Sequence, residues 1–123
     1  MKATFVEITE FTKVVADFMS DEAYAGLQKK LMDDPDWGKV MPGCGGLRKV
    51  RTPDPKRGKG KRGGARVIYL HIPEAKRFYM LDIYSKNEKD DLSATEKKQM
   101  RQLAERLKQE AIAEYAKSRK ENK

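Results

Sequence analysis

The chain has 123 residues, the length of a single domain, so we expect one domain over residues 1–123. Its 27 Lys and Arg exceed its 19 Asp and Glu, and the formal net charge of +8 favours an anionic partner, with nucleic acid first and an anionic membrane surface second. The sequence lacks the long apolar run of a membrane-spanning helix or signal peptide, and a lone Cys44 excludes an internal disulfide, so we expect a cytoplasmic protein.

The N-terminal third of the sequence predicts one strand and two helices. Residues 3–8 (ATFVEI) are short and β-prone, which is typical of a strand. Apolar residues recur at helical spacing from Thr9 onward and again after Ser20, whose hydroxyl can cap the second helix. Asp34-Pro35 ends that helix. The residues expected in the core are Phe11, Val14, Val15, Phe18, Tyr24, Leu27 and Leu31.

Three strands and a basic loop are predicted next. Pro and Gly punctuate residues 35–46, which predicts a connection, and residues 47–51 (LRKVR) form a short strand. Residues 52–64 (TPDPKRGKGKRGG) cannot bury apolar surface and predict a flexible basic loop. Residues 65–72 (ARVIYLHI) and 78–84 (FYMLDIY) predict two further strands joined by a link of hairpin length.

A capping box, Ser93-Ala94-Thr95-Glu96, begins a final helix that is predicted over about residues 93–119. Its narrow apolar stripe suits packing on a sheet or on a partner. The predicted order is therefore β-α-α-β-β-β-α. Hairpin-length links make the small sheet mostly antiparallel, with helices packed against it, so the fold class is α+β.

The most distinctive local feature is the cationic segment from Arg48 to Arg66. It holds nine Lys and Arg residues against one acid, Asp54. Cations displace condensed counterions from phosphates without reading sequence, so this segment suits a nucleic-acid backbone. A solvated loop that only maintains solubility is the alternative. The candidates for backbone binding are Arg48, Lys59, Lys61 and Arg62.

Known metal and nucleophile motifs are missing from the sequence. It has no HExxH, paired CxxC, Walker or GxSxG motif, and His71 lacks a Cys or second His for a zinc site. We therefore expect no metal and no cofactor. RNA cleavage is compatible with these residues, because the 2′-OH is an internal nucleophile that the protein aligns while cations neutralise the phosphate.

Three segments in register resemble the toxins of the RelE superfamily. In that family a basic strand precedes a Gly-x-Arg-x-aliphatic-Tyr strand, and a further motif ends the fourth strand. The long basic loop and the ending Lys86-Asn87-Glu88 are most similar to the HigB-like branch. The resemblance covers nearly the whole chain, including the order of its elements. The segments are Gly46-Leu47-Arg48-Lys49-Val50-Arg51, Gly64-Ala65-Arg66-Val67-Ile68-Tyr69 and Ile83-Tyr84-Ser85-Lys86-Asn87-Glu88.

The resemblance implies a toxin of a toxin–antitoxin system. Such a toxin is a ribosome-dependent endoribonuclease, or mRNA interferase, which cleaves mRNA in the ribosomal A site and so inhibits translation. The implied partners are mRNA, the ribosome with its 16S rRNA, and a cognate helix-turn-helix antitoxin that is HigA-like. No membrane partner is implied.

The resemblance also assigns roles by position. Lys49 and Arg51 match the family's basic pair, which contacts and polarises the RNA near the cut. Arg66 matches the arginine that stabilises the charged transition state. Lys86 falls where relatives carry basic residues. Asn87 replaces an arginine that helps catalysis in some members, and Lys86 is the candidate to take over its role.

Strand alternation gives a partial picture of the site. Lys49 and Arg51 share one face of their strand. Arg66 has the parity opposite to that of Tyr69 and His71, which implies either a twisted strand start or a register shifted by one. Tyr69 and Trp37 are expected to be packing residues rather than base-stacking platforms, and His71 is expected to be structural or exposed. In the last strand, one face is expected to carry Asp82, Tyr84 and Lys86 and the other face Leu81 and Ile83.

The residues alone leave two other functions open. A non-catalytic RNA-binding or ribosome-binding protein would block translation through its basic loop, and loss of Arg66 would barely affect it. A DNA-binding role is weaker, because no recognition helix with a basic face is evident.

Overall fold

The computed structural model describes residues 2–53, 64–85 and 92–121. Within these ranges the chain forms five strands and three long helices, which confirms the α+β class. The elements are β1 (Thr4–Glu7), α1 (Thr9–Phe18), α2 (Asp21–Asp33), β2 (Lys39–Val40), β3 (Arg48–Thr52), β4 (Ala65–Ile72), β5 (Arg77–Ser85) and α3 (Ala94–Glu121).

The element order predicted from the sequence is confirmed with one addition. The two residues of β2 were expected to lie in a connection, but they pair antiparallel with β3. Thr52 is the last residue of β3 rather than the first residue of the basic loop. The rest of that predicted loop falls largely on residues 54–63, which lie outside the described residues. At the other end of the chain, α3 continues to Glu121.

The sheet is mixed and mostly antiparallel, as predicted. Its strand order is β1-β5-β4-β3-β2. β1 runs parallel to β5, and the other neighbouring strands run antiparallel to each other. The long strands β4 and β5 therefore lie beside each other inside the sheet, and the two shortest strands form its edges.

Helices pack on both faces of the sheet. One face packs on α1 and α2 and is called the α1/α2 face; the other packs on α3 and is called the α3 face. The seven core residues predicted for the first two helices all lie in or against the first core, which confirms them. The first core includes Phe11, Phe18, Leu27 and Leu31 with Val50, Val67, Tyr69, Phe78, Met80 and Ile83; the second includes Ala104, Leu107 and Ala111 with Ile68, Leu70, Ile72 and Leu81.

A β-bulge in β5 corrects one expectation about which residues share a face. Ile68 pairs with Asp82, but its neighbour Tyr69 pairs with Met80, so Leu81 is an extra residue in β5. Leu81 accordingly joins the α3-side core, whereas Ile83 lies in the core of the α1/α2 face. The expectation that these two residues share a face was wrong, because strict alternation takes no account of a bulge.

The predicted helix caps are confirmed. The Ser20 hydroxyl accepts a hydrogen bond from the backbone N–H of Ala23 at 3.1 Å. The capping box of α3 is closed in both directions: the Glu96 N–H donates to the Ser93 hydroxyl, and the Ser93 N–H donates to the Glu96 carboxylate, each at 3.1 Å. Among the helices that the structure describes, none has the length and apolar character needed to cross a membrane.

His71 is a structural residue of the α1/α2 face. Its ring stacks on Phe78 with centroids 4.4 Å apart, and its buried Nε2 has no hydrogen-bond partner among the described residues. Burial lowers the pKa of His71, and the nearby carboxylates of Asp36 and Glu74 only partly offset that effect, while Arg48 adds to it. The folded protein therefore binds this proton less readily than the unfolded chain does.

We expect the lowered pKa of His71 to make the folded protein less stable in mild acid. Because the folded pKa lies below the unfolded value of about 6.5, the free energy of unfolding should fall as the pH drops below that value and through the folded pKa. The test is urea unfolding of the wild type and of His71→Gln between about pH 7 and pH 5. The free energy of unfolding should depend less on pH in the variant than in the wild type. Equal pH dependence in both proteins would contradict the assignment.

Candidate functional site

The register of the inner strands brings the predicted basic residues to one face. Arg51 pairs with Arg66, and Arg66 pairs with Tyr84 on the far side. Directly opposed residues point to the same face of a sheet. Lys49 pairs with Ile68, which belongs to the α3-side core, so Lys49 also lies on the α3 face. We call Lys49, Arg51 and Arg66 the basic patch.

This arrangement resolves the parity of Arg66. Val67 and Tyr69 face α1 and α2, so the opposite parity of Arg66 places it on the α3 face with Lys49 and Arg51. Neither a twisted strand start nor a shifted register is involved. Helices cover both faces of β4 along most of its length. Arg66 lies near the beginning of this strand, as its second residue.

Arg66 is a buried cation without a neutralising partner in the described part of the chain. It is 4% exposed. Its Nη1 donates to the carbonyl oxygen of Ala65 at 3.5 Å, and no described carboxylate lies within ion-pair distance of it. Like charges directly across a strand pair are unfavourable, so the pairing of Arg66 with Arg51 destabilises the empty site and favours a bound anion.

A cleft of about 230 Å³ adjoins the basic patch, and Lys49 is the patch residue that lines it. Lys49 and Tyr84 contribute to it from the sheet, Lys39 from the edge strand β2, and Lys97 from the first turn of α3. The helix N-terminus adds a partial positive charge. The cleft therefore combines three lysines with an apolar wall, a composition that suits a nucleotide. The apolar lining consists of Val40, Met41, Pro42, Cys44 and Leu92.

Sequence reasoning missed two of these lysines. Lys39 lies in a strand of two residues, which is too short to show a periodic pattern. Lys97 lies on α3, and the side of this helix that faces the cleft is decided by its packing on the sheet rather than by local sequence. Its position four residues after the capping residue Ser93 was the one available signal, because a first turn points its N–H groups toward anions.

A turn over residues 35–38, held by the buried side chain of Tyr69, supports the β2 side of the cleft. The Tyr69 hydroxyl donates to the carbonyl oxygen of Pro35 at 2.7 Å and accepts from the N–H of Gly38 at 2.9 Å. A Cβ at Gly38 would lie 2.8 Å from Cε1 of Tyr69, so the backbone approaches the ring as closely as glycine allows. Tyr69 is fully buried, which confirms its expected structural role. The turn leads directly into Lys39.

Arg48 also holds this turn and does not join the basic patch. Its Nη1 donates to the carbonyl oxygen of Gly38 at 2.7 Å, and its Nη2 lies 3.3 Å from the carboxylate of Asp36. It pairs with Tyr69, so it lies on the α1/α2 face. These contacts favour a positioning role, and RNA binding by Arg48 stays a prediction.

The remaining predicted site residues lie outside the described residues. They are Lys86, Lys59, Lys61 and Arg62, and Asn87 lies there as well. Within the ranges that the structure describes, no three His, Cys, Asp or Glu side chains are close enough to hold a metal ion. Trp37, expected to be structural, is only partly buried, packs against the first core and has the Lys30 ammonium 5.5 Å from its ring centroid.

One comparison with known proteins matches most of the chain. A family model described as the RelE toxin of the RelE / RelB toxin-antitoxin system matches residues 12–122. The match begins within α1 and includes the whole of the basic patch and of the cleft beside it. It agrees with the resemblance of the strand segments noted in the sequence.

Proposed function

The chain belongs to the RelE toxin family, and from that premise we propose that it is a ribosome-dependent mRNA interferase. It cleaves mRNA in the ribosomal A site and so inhibits translation. The observation that carries this proposal is the basic patch, in which buried Arg66 lies between Arg51 and Tyr84 beside a basic cleft. The arrangement suits a phosphodiester whose charge increases during the reaction.

The proposed reaction is an attack of the 2′-OH on the adjacent phosphorus. The new O–P bond forms as the bond to the 5′-oxygen breaks, which leaves a 2′,3′-cyclic phosphate and a free 5′-OH after proton transfer. The protein's task is to align the two oxygens and to stabilise the extra negative charge. No metal or cofactor takes part in this scheme.

Arg66 is the proposed stabiliser of the transition state. It is fixed by burial in a long inner strand, so it needs little reorganisation when charge develops on the phosphate. Its guanidinium fork can donate two parallel hydrogen bonds to phosphate oxygens. Because the described residues leave its charge unneutralised, the substrate phosphate becomes its counterion.

The other basic residues bind and orient the RNA in this proposal. Lys49 lines the cleft and Arg51 is exposed beside Arg66, so both can contact phosphates next to the cut. Lys86 stays a proposed catalytic residue on the family resemblance, and Lys59, Lys61 and Arg62 stay proposed RNA-binding residues. The Tyr84 ring lines the cleft and can contact a base.

We place the chain in the HigB-like branch on its sequence segments, with a HigA-like helix-turn-helix protein as cognate antitoxin. The 16S rRNA is the expected ribosomal partner. Addition of that antitoxin should suppress cleavage of mRNA in a reconstituted translation reaction. Continued cleavage at saturating antitoxin would remove it as the partner.

Primer extension on a defined message tests the function. The reaction is a reconstituted translation system containing the purified chain, run with and without ribosomes. Cuts that appear only with ribosomes support the proposal, and cuts of equal yield on naked RNA would contradict ribosome dependence. Translation arrest with intact mRNA would favour the non-catalytic ribosome-binding alternative.

A further inference from the structure

A second polar cleft, which we call the distal cleft, lies at the opposite end of the sheet from the basic patch. Its volume is about 370 Å³, and it forms where β1 and β5 begin and the last turns of α3 pass beside them. Arg77 and Tyr84 are seven residues apart along β5, or roughly 20 Å at the rise of a strand. One phosphate cannot occupy both clefts. The lining residues of the distal cleft with polar side-chain atoms are Lys2, Thr4, Lys76, Arg77, Glu114, Tyr115 and Ser118.

The distal cleft is positively charged and one of its cations is held in place. Arg77 Nη1 donates to the Glu114 carboxylate and to the Tyr79 hydroxyl, each at 2.9 Å. Its buried Nε has no hydrogen-bond partner in the described part of the chain. No described carboxylate pairs with Lys2 or Lys76, so three cations face a single acid.

Lys76 adopts a backbone conformation that lysine rarely takes. Its φ of 49° and ψ of 48° are left-handed, which is unfavourable for any residue with a Cβ. Two backbone hydrogen bonds fix it there: its N–H donates to Pro73 at 3.1 Å, and its carbonyl oxygen accepts from Thr4 at 3.0 Å. Glycine would adopt this turn without strain, so we take the strained Lys76 as a pointer to a role for its side chain.

We propose that the distal cleft binds a backbone phosphate of ribosomal RNA and anchors the protein to the ribosome away from the cut. This inference rests on the proposed function in taking the ribosome as the source of the RNA. The lining offers a fixed guanidinium, two lysines and the hydroxyls of Thr4, Tyr115 and Ser118, which are groups that bind phosphates without reading bases. Ala3 and Ala75 contribute apolar surface beside them.

The test compares two variants that lose the same charge in different places. Lys2→Gln/Lys76→Gly removes two cations from the distal cleft, and glycine suits the left-handed turn, so the thermal midpoint should not fall. Lys13→Gln/Lys29→Gln removes two exposed cations from α1 and α2. The affinity of each labelled full-length protein for purified 70S ribosomes is measured between roughly 50 and 200 mM salt.

We expect the distal-cleft variant to bind about tenfold more weakly, with a slope of log affinity against log salt concentration that is shallower by about 0.7–0.9, the change for one phosphate contact. The control variant should stay within about twofold of the wild type. Equal affinities and slopes for the two variants would overturn the inference. So would a loss of affinity for the antitoxin with ribosome binding unchanged, because the cleft would then be a protein contact.

Failure of the distal cleft and failure of the proposed function give different results. The distal-cleft variant should keep the wild-type cleavage rate at saturating concentration, because it leaves the basic patch unchanged. If the wild type binds ribosomes but cuts no message, the proposed function fails while the salt slopes still test the distal cleft. A lower rate at saturation in the distal variant alone would contradict a purely anchoring role.

Discussion

Arg66→Met should lower the cleavage rate on programmed ribosomes by a factor of about 10²–10³, the usual effect of removing one preorganised donor to a developing anion. Methionine fills much of the buried volume but carries no charge. Binding to the ribosome should weaken far less, since Arg66 is one cation in a chain of net charge +8. The measurement is a single-turnover rate at saturating protein, with ribosome affinity measured separately.

The matched control is Arg106→Met, which removes the same charge from an exposed position on α3. Its cleavage rate should stay within about twofold of the wild type. Arg66→Met should also be at least as stable as the wild type, because it removes a like charge directly across from Arg51. Equal losses of binding and cleavage in Arg66→Met would contradict the role in the transition state.

Tyr69→Phe should lower the free energy of unfolding by about 1–3 kcal/mol. The substitution removes the hydrogen-bond partner of two backbone groups, the buried N–H of Gly38 and the partly buried carbonyl of Pro35. Burial raises the pKa of Tyr69, so at neutral pH the hydroxyl keeps its proton and donates a hydrogen bond to the carbonyl oxygen of Pro35. Chemical denaturation monitored by far-UV circular dichroism measures the change.

Tyr115→Phe on α3 is the matched control, because its hydroxyl makes no hydrogen bond within the described residues. It should change the stability by less than about 0.5 kcal/mol. Tyr69→Phe should also raise the protein concentration needed for half-maximal cleavage, since the loosened turn leads into Lys39. A loss of stability no larger than that of the control would show that the turn does not depend on the hydroxyl.

Local sequence was sufficient to predict the elements with strong periodicity or caps. The capping box at Ser93 and Glu96 is closed in the structure, and Val50 packs under the helices while its neighbours Lys49 and Arg51 face the other way. Both features depend on residues within one turn or one strand. The alternation rule needs no knowledge of the neighbouring strands.

Features that depend on two or more elements could not be predicted in this way. The extra residue Leu81 shows only in the pairing of β4 with β5, and β2 exists only because β3 offers it a partner. Strand alternation alone does not assign Arg66 to a face, because alternation identifies the core side of a strand only when its other side is polar. Here helices pack on both faces, and the site lies near one end of a buried strand.

Because β2 lies at the edge of the sheet, we expect the two parts of the site to differ in how readily their strand hydrogen bonds open. Arg66 and Tyr84 lie in the two long inner strands, whose hydrogen bonds open only when much of the sheet unfolds. Lys39 lies in an edge strand of two residues, so we expect its few sheet hydrogen bonds to open more readily than those of the inner strands. For the mRNA interferase proposed above, this would keep Arg66 fixed while the lysine at the edge adjusts to different nucleotides. We therefore expect such a site to tolerate variation in the bound codon.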